Sequence, residues 1–157
     1  MKIKLIVVGK TNANYLKEGE NEYFQRLKHY VRFDETIIPD IKNSKNLSKS
    51  DLKNKEGKLI LSKIDNSDEV VLLDDKGKMF SSIDFSSYLS EKMIRGTKSL
   101  VFVIGGAFGF SDAVYERANS KISLSKMTFS HQMVRLIFKE QLYRAFTILK
   151  GEKYHHV

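Results

Sequence analysis

The sequence predicts a single α/β domain over residues 1–157, in which a mostly parallel sheet carries helices on both faces. Two observations indicate this fold class. Short apolar, β-branched runs alternate with segments whose apolar residues recur at helical spacing, as in parallel sheets. The chain also lacks an internal repeat, linker or low-complexity segment that would divide it. We therefore expect one sheet and one domain.

The predicted strands are short apolar runs bounded by glycine, proline or polar residues. They cover residues 1–8, 33–38, 69–73, 100–104 and 121–124. Gly9 ends the first strand, and Pro39, the only proline of the chain, closes the second. A turn is expected over residues 74–77, directly after the third strand. The fourth strand opens into the glycine-rich segment 105–109.

The predicted helices are segments whose apolar residues recur three or four positions apart. They cover residues 14–30, 51–64, 82–95, 111–118 and 131–149. A surface loop rich in Asn, Ser and Lys is expected before the second helix, over residues 42–50. Gly96 stops the third helix, Ser111 is placed to cap the fourth, and Gly151 ends the last.

Ligands of open parallel sheets bind at the carboxyl ends of the strands. Here those ends are Leu73, the loop 105–109 and the loop 125–130. Gly-Gly-Ala-Phe-Gly at 105–109 lets the backbone approach a ligand closely, yet it is neither the dinucleotide fingerprint nor a phosphate-binding P-loop. A nicotinamide or ATP enzyme is therefore disfavoured. A tight turn without a ligand is the alternative for this segment.

The loop after the fifth strand suits a neutral purine. Its backbone could hydrogen-bond the edge of an adenine while Leu124, Met127 and Phe129 pack against the ring. The alternative is an ordinary helix start capped by Thr128 or Ser130.

The last helix carries both charge and apolar surface. His131, Arg135 and Lys139 follow one another at i, i+4 spacing and predict a basic stripe, which could also be an ordinary solvated face. Glu140 and Arg144 repeat the spacing and could pair. Apolar residues extend around more than one face of this helix, which indicates burial against the sheet and against a second subunit.

The composition of the chain limits the classes of partner and of functional site that we expect. A formal net charge of +8 favours a polyanion such as nucleic acid. The absence of cysteine excludes disulfides, thiolate zinc sites and cysteine nucleophiles, and it fits a cytoplasmic protein. No apolar run approaches the ~20 residues of a membrane span. The adjacent His155 and His156 have no ligand partner at a suitable spacing, so we expect no metal site.

Several segments resemble the ribosomal large-subunit methyltransferase H family, in order and over the whole chain. They are Val7-Val8-Gly9-Lys10, Lys55-Glu56-Gly57, Leu73 with Gly77-Lys78, Val103-Ile104-Gly105-Gly106 with Gly109, the stretch from Leu124 to Gln132, Glu140-Gln141-Leu142-Tyr143-Arg144-Ala145 and Tyr154-His155. Two positions depart from the family pattern: Ser130 stands where proline is usual, and His156 where Lys or Arg is common.

The resemblance implies a homodimeric SPOUT enzyme with a C-terminal trefoil knot, which uses S-adenosylmethionine to methylate N3 of a pseudouridine in 23S ribosomal RNA. It also implies cofactor contacts by Leu73, Gly105, Leu124, Ser125, Lys126, Met127, Thr128 and Phe129. His131, Arg144 and His155 are candidates for assisting loss of the base proton, and Arg135, Lys139 and Tyr154 for binding RNA. The alternative function is a non-catalytic basic RNA-binding module.

Overall fold

The computed structural model describes residues 1–156 and folds them around one parallel sheet. The strands are β1 (Lys2–Val8), β2 (Arg32–Ile38), β3 (Glu69–Met79), β4 (Ser99–Ile104) and β5 (Ser120–Ser123). The helices are α1 (Asn14–Leu27), α2 (Lys49–Leu61), α3 (Ser82–Ile94), α4 (Asp112–Arg117) and α5 (Met133–Leu149). The spatial order is β2-β1-β4-β3-β5. Within residues 1–156, no helix is long and apolar enough to cross a membrane.

The central strands are apolar because both of their faces are covered. Leu100, Phe102 and Ile104 of β4 enter one core, which α1, α3 and α5 close. Val101 and Val103 enter a second core on the opposite face, beneath α2 and α4. Every strand pair is parallel, so all five carboxyl ends lie at one edge of the sheet. The predicted fold class is confirmed.

The predicted turn over residues 74–77 is wrong in one respect, because β3 continues through it to Met79. Leu73 and Lys78 both pair with Ile122 of β5, so the residues between them form an irregularity within the strand pair. A side chain on Gly77 would place its Cβ 2.5 Å from the carbonyl carbon of Ile122. The polar, glycine-containing sequence reads locally as a turn, whereas pairing with β5 makes it a bulged strand.

Serine hydroxyls set the start of three helices. The Oγ atoms of Ser48, Ser81 and Ser111 accept hydrogen bonds from the backbone N–H three residues on, at 3.0, 3.0 and 3.4 Å. The predicted cap by Ser111 is confirmed. Because Ser48 caps α2, that helix begins two residues before its predicted start.

The predicted basic stripe on α5 is wrong for two of its three members. Arg135 is 1% exposed and donates to the backbone carbonyls of Val8 and, at 2.7 Å, Gly9. Its Nε donates to the carbonyl of His131 at 3.1 Å. Burial lowers the pKa of Arg135, and nearby carboxylates oppose that shift. Spacing alone could not show that α5 turns this cation toward the end of β1.

Lys139, one turn further along α5, is also inside the protein. Only 3% of its side chain is exposed, and it pairs with Glu20 at 3.1 Å and with Glu35. Thr11 donates to the other oxygen of Glu20 at 2.6 Å and so joins the β1–α1 loop to this network. Both cations therefore join elements of the fold, and neither is available to RNA.

We expect Arg135→Met to lower the free energy of unfolding by about 2–4 kcal/mol, because two buried carbonyls lose their donor. Urea titration followed by circular dichroism measures this change. Arg95→Met is the matched control, since Arg95 makes an exposed pair with Glu91 and its loss should cost less than about 1 kcal/mol. Equal losses in the two variants would contradict the assigned role of Arg135.

Candidate functional site

A cavity of about 430 Å³ opens at the carboxyl edge of the sheet. Its wall is formed by residues 73–75 in the middle of β3, the loop after β4 and the loop after β5. Seven of the eight residues predicted to contact a cofactor line it: Leu73, Gly105, Leu124, Ser125, Met127, Thr128 and Phe129. Lys126 does not line the cavity. His131 does, at the start of the last helical segment.

Short-range hydrogen bonds hold the loop after β5 in shape. Ser123 Oγ donates to the carbonyl of Ser125 at 2.9 Å, and Ser125 Oγ accepts from Met127 N at 2.9 Å. Ser130 Oγ accepts from the backbone N–H of Met133, the first residue of α5, at 3.0 Å. These bonds engage the hydroxyls of Ser123, Ser125 and Ser130, and the Met127 side chain remains 78% exposed at the cavity.

The two adjacent glycines of the loop after β4 have different neighbours. A Cβ on Gly105 would lie 3.1 Å from the ring of Phe110, and one on Gly106 would lie 2.7 Å from the carboxylate of Glu56. The sequence indicated only that glycine keeps the ligand path clear. The structure adds that the Phe110 ring fills the space beside Gly105 and that the Glu56 carboxylate fills the space beside Gly106.

Glu56 is a candidate functional residue that the sequence did not indicate. It is 9% exposed, and its carboxylate has no hydrogen bond or ion pair with any residue in 1–156. Burial, and then the nearby carboxylate of Asp40, raise the pKa of Glu56. In the sequence, Glu56 is one acidic residue in a lysine-rich helix, and only its place in the Lys-Glu-Gly segment distinguishes it. A buried, unpaired carboxylate beside Gly106 belongs to the surroundings of the cavity.

Carboxylates form one wall of the cavity. Asp74 accepts hydrogen bonds from the Tyr115 hydroxyl and, at 2.8 Å, from Lys76 N. Burial alone would raise the pKa of Asp74, but these hydrogen bonds outweigh it and lower the pKa. Burial and the bond to Asp74 raise the pKa of Tyr115 to about 12. Asp74 thus remains ionised beside Asp75, and this wall favours a cationic ligand.

A second cluster forms where the tail returns to α5. Glu140 Oε1 accepts from Arg144 at 2.6 and 3.0 Å and from the Tyr154 hydroxyl at 3.0 Å. Arg144 Nη1 lies 3.2 Å from His155 Nδ1. The Arg144 guanidinium lies 4.8 Å from the centre of the Tyr154 ring, which packs edge-on against Tyr143. The predicted pairing of Glu140 with Arg144 is confirmed.

The structure therefore separates the candidate residues into two groups. His131 lines the cavity, whereas Arg144, Tyr154 and His155 belong to the tail cluster and do not line it. No group of three or more metal-ligating side chains occurs among residues 1–156.

Comparison with known proteins gives one consistent result. A family model described as predicted SPOUT methyltransferase matches residues 1–155. The chain is 62% identical to a protein of Parabacteroides distasonis and 61% identical to one of Christiangramia forsetii, in each case over 156 residues and 99% of both chains. A protein of Porphyromonas gingivalis is 52% identical over the same length. All three relatives bear the name ribosomal RNA large subunit methyltransferase H.

We expect Glu140→Gln to release the tail, because Arg144 and Tyr154 lose their shared charged acceptor. Amide hydrogen exchange should quicken in residues 152–156 while the protection of the sheet is unchanged. Glu91→Gln is the control, since Glu91 makes an exposed pair with Arg95 on α3. Unchanged exchange in the tail of the Glu140 variant would show that the cluster does not hold it.

Proposed function

Because this chain belongs to the SPOUT methyltransferase family, we propose that it transfers the methyl group of S-adenosylmethionine to N3 of a pseudouridine in large-subunit (23S) ribosomal RNA. By this family and by the names of its relatives, the chain is a ribosomal RNA methyltransferase. The cofactor, the position on the base, the homodimer, the trefoil knot and a cytoplasmic location are proposed with it, from the resemblance of the sequence.

The observation that carries the cofactor proposal is the chemistry of the cavity. Its volume of about 430 Å³ is suited to a nucleoside-sized ligand. Leu124, Met127 and Phe129 offer apolar surface to an adenine ring, and loop backbone groups can bond its edge. The carboxylates of Asp74 and Asp75 complement the positive charge of a sulfonium ligand. The residues present therefore fit S-adenosylmethionine.

The bound cofactor supplies a methyl group that is already activated by its sulfonium charge. The chain must hold the base in line, exclude water and favour loss of the N3 proton. His131 at the cavity wall is placed to contact the base or its proton. The Arg144 guanidinium can stabilise the resulting anion, and His155 can accept or donate a proton beside it.

Both groups of residues can act on one base only if two chains contribute. Met133 and Arg144 are eleven residues apart in α5, so the tail cluster begins roughly 16 Å along the helix axis from the cavity. A two-fold partner removes this separation by placing its own Arg144 and His155 beside the cavity. Exposed Met127 and Phe129 at the cavity give that partner apolar surface to cover. We therefore propose a homodimer with two shared sites.

A non-catalytic RNA-binding module is the competing function. It would use the basic surface and leave the cavity without a ligand. Titration calorimetry of the purified protein with S-adenosylmethionine separates the two, because only the enzyme requires saturable binding. Methylation of ribosomes, of large subunits and of free ribosomal RNA then identifies the form of the substrate.

We expect Gly105→Val to abolish calorimetric binding of S-adenosylmethionine while the protein stays folded, since the added methyl groups lie at the cavity wall. Because a Cβ there also meets the Phe110 ring, the double variant with Phe110→Leu is the control. Binding that returns in the double variant would assign the loss to the ring, and undiminished binding in the single variant would remove Gly105 from the site.

We expect His155→Ala to lower kcat for ribosome methylation by about 10²-fold, in the range of a lost acid–base group, with an unchanged dissociation constant for the cofactor. His29→Ala is the matched control, since His29 is exposed just after α1, near the amino edge of the sheet. A wild-type single-turnover rate constant in the His155 variant would exclude a role in the chemical step.

A further inference from the structure

Lysines are dense in the segment that leads into α2 and along that helix. Residues 42–58 contain six lysines and only two acidic residues, and one of those acids, Glu56, is buried. Three of the lysines, Lys42, Lys45 and Lys49, are exposed and have no carboxylate partner within residues 1–156. We refer to these three as the carboxyl-edge lysines. By contrast, Arg135 donates to buried backbone carbonyls and Lys139 pairs with carboxylates inside the fold.

Topology places the carboxyl-edge lysines on the same side of the sheet as the cavity. Residues 39–48 connect the carboxyl end of β2 to the start of α2, and α2 then runs back to the amino end of β3. Because the strands are parallel, the ends of β2, β3 and β4 share that edge. The lysines at the start of α2 therefore lie at the edge where the cavity opens.

One of these lysines contacts the rim of the cavity. The Lys49 ammonium lies 5.2 Å from the centre of the Phe108 ring, and Phe108 is 46% exposed. Phe108 belongs to the loop after β4 but does not line the cavity, while its neighbours Ala107 and Gly109 do. An exposed aromatic ring beside unpaired cations is the combination that binds an unstacked base together with its phosphates.

We propose that the carboxyl-edge lysines and Phe108 form the surface that binds the ribosomal RNA next to the target base. The lysines contact phosphates, and the Phe108 ring stacks on a flanking base. This inference rests on the proposed function, which supplies RNA as the polyanion. It assigns RNA binding to the start of α2 instead of the α5 stripe predicted from the sequence.

The test compares two triple variants of the full-length protein that remove equal charge at opposite edges of the sheet. One carries Lys42→Gln, Lys45→Gln and Lys49→Gln. Its control carries Arg32→Gln, Lys63→Gln and Lys98→Gln, three exposed cations at the amino ends of β2, β3 and β4. Binding of labelled protein to assembled ribosomes is measured by fluorescence anisotropy between about 50 and 200 mM salt.

The carboxyl-edge variant should bind ribosomes at least tenfold more weakly and flatten the slope of log affinity against log salt by about two to three units. Its melting temperature and its affinity for S-adenosylmethionine should be unchanged, and the amino-edge control should bind like wild type. Phe108→Leu should weaken binding severalfold without changing the slope, because a ring is lost and no charge is.

Two results would overturn the inference. A carboxyl-edge variant with wild-type affinity and slope would exclude phosphate contacts at these lysines. An equal loss in the amino-edge control would assign the effect to net charge. Failure of the proposed function is distinguishable from both, because the wild-type protein would then neither bind S-adenosylmethionine nor methylate ribosomes.

Discussion

The guanidinium of Arg135 joins the two parts of the chain on which the site depends. It donates to the carbonyls of Val8 at the end of β1 and of Gly9 after it, and to the carbonyl of His131 just before α5. The loop after β5 is thereby fixed at its far end, where Gln132 Oε1 also accepts from Asn12 N at 2.8 Å. Residues 124–131 form part of the cavity wall, and they end at the start of α5. Without the hydrogen bonds of Arg135, the position of that end relative to β1 would no longer be fixed.

The cations of this strongly basic chain fall into groups with different surroundings, and Arg135 belongs to the buried group. Arg135 and Lys139 satisfy buried carbonyls and carboxylates, where an unpaired cation would be costly. Arg144 is held by Glu140, and the pKa of Arg144 is raised by that hydrogen bond. The cations left free of carboxylates are largely surface lysines, and those before α2 lie at the open edge of the cavity. The buried cations, the tail-cluster Arg144 and the surface lysines are therefore different residues, which net charge alone does not distinguish.

The sequence predicted the order of strands and helices because apolar periodicity reports local burial, as in β1 and β4, and a serine before a helix predicts its cap, as at Ser111. It failed where a distant partner decides the outcome. The Asp-Asp-Lys-Gly segment is a bulge because β5 pairs across it. Arg135 is buried because β1 ends beneath it, and no spacing within α5 reveals that. Strand ends and the resemblance together brought Leu73, Gly105 and the 124–129 loop into one prediction; their assembly around a cavity is observed, and their role stays proposed.

Sharing of the site between two chains is the central claim, and mixing two inactive variants tests it most directly. A heterodimer of one Gly105→Val chain and one His155→Ala chain, purified with two different tags, contains one site with an intact cavity and an intact tail if these come from different chains. Its methylation of ribosomes should then reach about half of the wild-type rate per dimer. If cavity and tail of the same chain act together, each site carries one defect, and a heterodimer as inactive as either parent would contradict the account.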